Sequence, residues 1–291
     1  MILITGANGH LGKQVINFLQ QKDPALKIAG LVRSKEKGAE IQKEGIELRI
    51  GDYTNTNSLQ NALKEVETLL LISSSNLENR ITQHVNAINA AKAAGVKHII
   101  YTSISQAHKR LSALAVDHIE TEEAIKASGI PYTILRNTFY SEYFESIFLG
   151  NAIDTGDWYY PANGAKLNFA NRTEMAEALA NVLLEPTAHL NKTYEITSLN
   201  AYSFPELAAF VSKAAGKEIK FADIPMEAFK DGLDKASLPG DLKDFLTDNA
   251  NAVSKGALEN TTTDLETLLG RKPQDFSAFI HQHYAQVDVL V

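Results

Sequence analysis

Gly6, Gly9 and Gly12 recur at every third position directly after the apolar run Ile2-Leu3-Ile4-Thr5, in the segment Gly6-Ala7-Asn8-Gly9-His10-Leu11-Gly12. This arrangement suits phosphate. The first glycine permits a sharp turn out of a strand, the second lets a pyrophosphate approach the backbone, and the third lets the following helix pack closely on a sheet. That helix carries Leu11, Val15 and Leu19 on one face. Its free N-terminal amides and positive dipole end face the loop. Asn8, His10 and Leu11 fall within the same turn and complete a candidate dinucleotide-binding set. The alternative, a plain glycine turn, lacks the strand-before and helix-after context.

Further candidates lie at the ends of later apolar runs. A carboxylate is expected about 20 residues past a glycine loop when the cofactor is NAD. The corresponding run ends Leu31-Val32-Arg33-Ser34, with Lys35 and Lys37 behind it. An arginine there suits a 2′-phosphate and predicts NADP, unless the three cations only solvate a loop. Asp52, with Tyr53 beside it, ends the third run, where a carboxylate can accept from an adenine amino group or simply form a turn. Ser73, Ser74 and Ser75 end the fourth run, and Thr102 and Ser103 the fifth. Small polar residues at such positions border a cofactor or form plain loops. Eight aromatic residues then crowd into 22 positions, Phe139, Tyr140, Tyr143, Phe144, Phe148, Trp158, Tyr159 and Tyr160. They are read as a flat-ligand pocket, with Phe139, Tyr140, Tyr143 and Phe144 as its first members. Core or a subunit contact is the competing reading.

The elements that must position these residues alternate. Apolar strands are predicted at Lys27–Arg33, Ile46–Ile50, Thr68–Ser73, His98–Ser103 and Tyr132–Leu135. One intervening helix carries Ile81, Val85 and Ile88 ahead of Gly95, and another ends at Gly129 and Pro131. Continuous apolar runs such as Leu69–Ile72 suit strands covered on both faces. The alternation predicts an α/β fold, a doubly wound parallel sheet of the Rossmann type over residues 1–137. After Asn137 strand signals thin out. A helix is expected at Glu174–Glu185, a strand at Lys192–Thr197, and a capped helix from Ser203-Phe204-Pro205-Glu206. Residues 165–197 are expected to return to the sheet, and 138–164 with 198–291 to form a smaller, mainly helical lobe.

Composition narrows the classes. The chain has 291 residues, a net charge of −7 and no cysteine. The charge argues against a general nucleic-acid or anionic-membrane surface. Without cysteine there is no thiolate nucleophile, disulfide or cysteine-ligated metal. No apolar run is long enough to span a bilayer, and the first strand starts at once, so a cytoplasmic protein is expected. His281 and His283 face different sides of a helix, and no metal site is expected. Neither a P-loop ending nor a nucleophile elbow is present.

Thr5–Gly12, Leu31-Val32-Arg33, Gly51-Asp52-Tyr53, Gly95-Val96-Lys97-His98-Ile99, Leu135-Arg136-Asn137 and Asp264–Pro273 occur in order along the chain. In these segments the sequence resembles the NmrA-like group of atypical short-chain dehydrogenases, particularly its bacterial NAD(P)H:quinone oxidoreductases and triphenylmethane reductases. The resemblance covers nearly the whole chain. It implies NADPH as cofactor and hydride transfer to a small planar acceptor such as a quinone, with Asn137 placing nicotinamide and substrate. Wider relatives use a Tyr-x-x-x-Lys pair on the helix after the fifth strand. In the preferred register Leu114 and His118 occupy those positions, so the proton-donating tyrosine is missing. His118 is left to bond the ribose or nicotinamide edge, or to serve as an ordinary helix histidine. Three functions follow in order: a quinone-type reductase, a non-enzymatic NADP(H) sensor as in other NmrA-like proteins, and a sugar-nucleotide epimerase. The last is disfavoured by the missing tyrosine.

Overall fold

The computed structural model describes residues 1–76 and 78–285; Leu77 and the end of the segment 198–291, from residue 286 onward, lie outside the described residues. Two compact units divide the chain. The first comprises 1–107, 116–137 and 173–195, and the second 108–115, 138–172 and 196–291.

The first unit is built on a seven-stranded sheet. In chain order its elements are β1 (Ile2–Ile4), α1 (His10–Lys22), β2 (Ile28–Val32), α2 (Lys35–Lys43), β3 (Glu47–Ile50), α3 (Thr56–Ala62), β4 (Thr68–Leu71), α4 (Arg80–Ala94), β5 (His98–Ile104), α5 (Ala113–Ser128), β6 (Tyr132–Asn137), α6 (Arg172–Leu184) and β7 (Lys192–Ile196). The sheet order is β7-β6-β5-β4-β1-β2-β3. The pairs from β3 to β6 are parallel, with Ile2 opposite Ile28 and Thr68, and Ile99 opposite Tyr132. The order reverses between β1 and β4. The glycine loop leaves β1 at that switch point, the position at which doubly wound sheets bind ligands. Leu69, Leu70 and Leu71 are all buried, as expected of a strand covered on both faces. This confirms the Rossmann-type sheet expected from the alternation.

Two short helices, α2 and α3, emerge where no helix signal stood out. Each is started by a side-chain cap: Ser34 accepts from the Lys37 amide and Asn55 from the Ser58 amide. The segment expected to return at residue 165 rejoins this unit only from Thr173. Lys166–Leu167 instead pairs with Tyr202–Ser203, and Phe169–Ala170 with Phe139–Tyr140, so their backbone bonds are made inside the second unit.

Among the described residues the second unit contains three such two-stranded pairs besides its helices, the third joining Asp157–Tyr160 to Lys220–Asp223. Its core is aromatic. Phe144, Phe148, Trp158, Tyr160, Phe169, Phe204 and Phe276 are buried together. The predicted capping box forms: Ser203 accepts from the Glu206 amide and Glu206 accepts from the Ser203 amide.

Candidate functional site

The loop between β1 and α1 has the features its glycines predict. Gly6 sits at φ +59°, in the left-handed region, and its carbonyl accepts from the Gly9 amide at 2.9 Å. A Cβ on Gly12 would meet the Ala7 Cα at 2.9 Å and run into the Gly6 carbonyl. Only a bare backbone lets α1 start this close to the strand. No side chain caps α1, and its first turn carries no acidic residue. Its opening amides therefore keep their affinity for an anion. Leu11 is buried in the core and brings only its amide to the loop. Asn8 turns its side chain away to donate to the Lys37 carbonyl at 3.3 Å, which ties the glycine loop to α2. His10 is exposed.

Arg33 is exposed at the end of β2, and among the described residues its guanidinium has no ion pair or hydrogen bond. Asp52 Oδ1 accepts from the Thr54 amide at 2.8 Å and from its hydroxyl at 2.6 Å. These bonds, more than Arg33, hold the carboxyl below its usual range. The turn-forming role of Asp52 is thus present, and among the described residues Oδ2 accepts no hydrogen bond. Tyr53 departs from expectation. Its hydroxyl is shut away beside Thr5, and burial pushes its pKa up to about 12.

The loop after β4 is held from behind. The Ser73 amide donates to Thr102 Oγ1 at 2.9 Å, and the Ser74 amide to His84 Nε2 at 2.9 Å. Arg80 Nε donates to the Ser74 carbonyl at 2.8 Å, and the Ser74 hydroxyl to Gln83 at 2.6 Å. Thr121 donates its hydroxyl to the Asp117 carbonyl, so its oxygen accepts from His84 Nδ1, 3.0 Å away. His84 is therefore a neutral imidazole protonated on Nδ1, with both nitrogens occupied; burial and the nearby Arg80 push its pKa down to about 3. Ser75 is exposed and open to a ligand. Thr102 and Ser103 are not. Both are buried, the first spent on Ser73 and the second donating to Glu122 at 2.7 Å, so they support the loop instead of lining it.

His118 is buried, with Nδ1 2.7 Å from the Tyr101 hydroxyl. Burial, with Arg80 and His84 nearby, holds its pKa well below the usual histidine value. It is neutral at physiological pH and is no imidazolium acid. Asn137 ends β6 with its backbone carbonyl accepting from the Ser105 amide at 2.8 Å. Among the described residues its side-chain Oδ1 is buried without a partner. Such an orphan costs on the order of 1–3 kcal/mol, and a buried polar group left unpaired calls for an explanation. The neighbouring Arg136 bonds Glu122 through Nε and Nη2 at 2.8 and 2.7 Å and Glu195 through Nη1 at 3.2 Å. Sequence reasoning assigned no role to Arg80, His84, Glu122, Arg136 or Glu195. The one available signal was a set of charged or polar residues inside otherwise apolar strands and helix faces.

The four aromatic pocket candidates separate. Phe144 is core, packed edge-on against Phe169 and Phe276 at centroid distances of 5.5 and 5.2 Å, and is no pocket wall. Phe139 is half-buried against the same cluster. Tyr140 and Tyr143 lie together, 5.7 Å apart, and Tyr143 is exposed.

A switch-point glycine loop, a helix start with no acidic residue in its first turn and an exposed arginine at the second strand end define a dinucleotide-binding Rossmann protein. Residues 1–280 match the NmrA-like family, and the chain belongs to it. It is 40% identical over 270 residues to quinone oxidoreductase 2 of Escherichia coli, covering 93% of this chain and 94% of that one. The crystal structure of an Escherichia coli NADPH-dependent quinone oxidoreductase in complex with NADPH is similar with a TM-score of 0.91 at 38% identity, covering 98% of this chain and all of that one. Citrobacter sp. triphenylmethane reductase in complex with NADP(H) follows at 0.89 and 36%, with 98% of this chain and all of that one covered.

Proposed function

We propose that this protein is an NADPH-dependent reductase that passes hydride directly to a quinone or a similar planar acceptor. The observation that carries the reading is full-length likeness to a quinone oxidoreductase at 40% identity, joined to an intact phosphate loop. The residues present fit the cofactor: a Cβ would fill the cradle at Gly12, and Asn137 offers an amide with an unmet acceptor. NADPH supplies the hydride when bound. The amides of residues 10–12 hold its pyrophosphate and Arg33 its 2′-phosphate. Asn137 orients the nicotinamide, with Arg136 fixing the backbone beside it. Neither residue at the two register positions stands in for the missing tyrosine, since Leu114 is apolar and His118 is buried and neutral. A quinone tolerates this, because its reduced oxyanion is delocalised and takes its proton from water. We assign residues 1–137 and the returning segment to cofactor binding, the rest to the acceptor, and the cytoplasm as the compartment.

Purified protein is expected to oxidise NADPH with a naphthoquinone, saturably in quinone. Asn137→Ala is expected to lower turnover at saturating NADPH about tenfold, roughly 1.4 kcal/mol of transition-state stabilisation, with little change in NADPH affinity. Tight NADPH binding without acceptor-stimulated oxidation would replace the reductase by a cofactor sensor.

A further inference from the structure

Three successive backbone amides past β4 are held by side chains. The Ile72 amide donates to Thr5 Oγ1 at 2.8 Å, the Ser73 amide to Thr102 Oγ1 at 2.9 Å and the Ser74 amide to His84 Nε2 at 2.9 Å. Thr5 directly follows β1 and Thr102 lies in β5, the two strands that flank β4. Both threonines therefore reach only to a neighbouring strand end. His84 comes instead from α4, is fully buried, and has its other nitrogen 3.0 Å from Thr121 Oγ1 on α5. Arg80, one helical turn earlier on α4, donates to the Ser74 carbonyl. The Ser74 peptide groups are thus fixed by groups that the sheet does not supply.

The segment so fixed abuts the glycine loop. A Cβ on Gly6 would come within 3.5 Å of the Ile72 Cβ. Sheet order decides which part of a dinucleotide reaches it. β2, whose end carries Arg33, lies on one side of β1, and β4 lies on the other. A dinucleotide spans the switch point between them. With its 2′-phosphate at Arg33 and its pyrophosphate at the glycine loop, its nicotinamide half extends past the end of β4. Asn137, at the end of β6, is on the same side. Without an acceptor on His84 the Ser74 amide loses its partner and the peptide turns to find another, which changes the outline of that side. Both ring nitrogens of His84 are bonded within the protein, so its action is indirect.

We propose that His84 is a positioning residue for the nicotinamide half of the cofactor, acting through the Ser74 peptide and oriented in turn by Thr121. The proposal rests on the placement of NADPH given above and does not require hydride transfer.

Titration calorimetry with two probes tests it: NADPH, and adenosine 2′,5′-bisphosphate, which carries the adenine half with its 2′-phosphate but no nicotinamide. The readout is the ratio of their affinities, which general damage to the fold does not move because it weakens both. In His84→Leu the ratio is expected to fall about tenfold, the factor for one lost hydrogen-bond anchor, with bisphosphate affinity little changed. His84→Gln puts a carbonyl oxygen where Nε2 accepts and an amide where Nδ1 donates, and is expected to recover most of the ratio. Thr121→Val removes only the acceptor that orients the ring. It is expected to lower the ratio about threefold, and it decides the matter should His84→Leu fail to fold. Equal weakening of both probes, an unchanged ratio, or a ratio in His84→Gln as low as in His84→Leu overturns the proposal. If the parent protein binds NADPH but no quinone accelerates its oxidation, the reductase reading fails, and the binding ratio still decides the role of His84.

Discussion

The two compact units bury different kinds of side chain. The first surrounds aliphatic strands with buried or half-buried polar groups that bond backbone: His84 accepts from the Ser74 amide and Arg80 donates to the Ser74 carbonyl, Thr102 holds Ser73, and Glu195 accepts from the Gln106 amide at 3.1 Å. The second packs rings edge to face and in stacks, Tyr160 on Phe204 at 4.8 Å and Phe169 on Phe276 at 4.5 Å. Hydrogen bonds are directional and fix where a loop's peptide groups lie, whereas ring packing fixes bulk and shape. Polar support of this kind is what strand-end loops need in order to keep a constant outline for a cofactor. A core of rings needs no such precision, and it leaves few ring faces for a substrate.

The largest expected effect tests the aromatic half of this contrast. Phe144→Ala is expected to cost about 3–5 kcal/mol of unfolding free energy in urea, the range for truncating a fully buried phenylalanine. A loss near zero, with a raised KM for quinone, would return Phe144 to the pocket wall that its sequence neighbourhood suggested. The next concerns the nucleotide half. Arg33→Asp places a carboxylate at the end of β2 and is expected to weaken NADPH relative to NADH by about 1.5–3 kcal/mol, measured by fluorescence titration of both cofactors. Equal affinities in the parent protein would remove Arg33 from phosphate recognition.

The third effect is the most gradual. The buried histidines among the described residues, His84, His98 and His118, all belong to the first unit. Burial lowers the first to about 3 and the second to about 4. Their folded values lie below the unfolded value near 6.5, so as pH falls through 6.5 the unfolded chain takes up protons that the folded chain refuses. Stability is therefore full above about pH 6.5 and declines toward acid, by roughly 1.4 kcal/mol per pH unit for each such histidine. His84→Gln is expected to flatten the decline between pH 6 and 5 by about that slope. Identical slopes for the two proteins would mean that His84 is not held neutral by its surroundings.

The phosphate loop was legible because its requirements are local. Gly6 needs a left-handed backbone and Gly12 needs no Cβ, and both conditions follow from a few consecutive residues. The parallel strands were legible for a related reason: burial on both faces demands an apolar run, and Leu69–Leu71 is one. The aromatic run was read in part. Its position after Asn137 was visible, but the burial of Phe144 and the pairing of Tyr140 and Tyr143 with Arg172 depend on residues as distant as Phe276. The supports of the cofactor loops were hidden for the same reason. His84 means little in sequence until Ser74 and Thr121 close on its two nitrogens.

By itself, then, the sequence determined the glycine turn at the start and the α/β alternation, because steric requirements within a short segment admit few alternatives. Tertiary structure alone decided which aromatic rings are core, which histidines are neutral and which polar groups hold the strand-end loops in place. Burial, hydrogen-bond partners and pKa are properties of neighbours brought together from far along the chain.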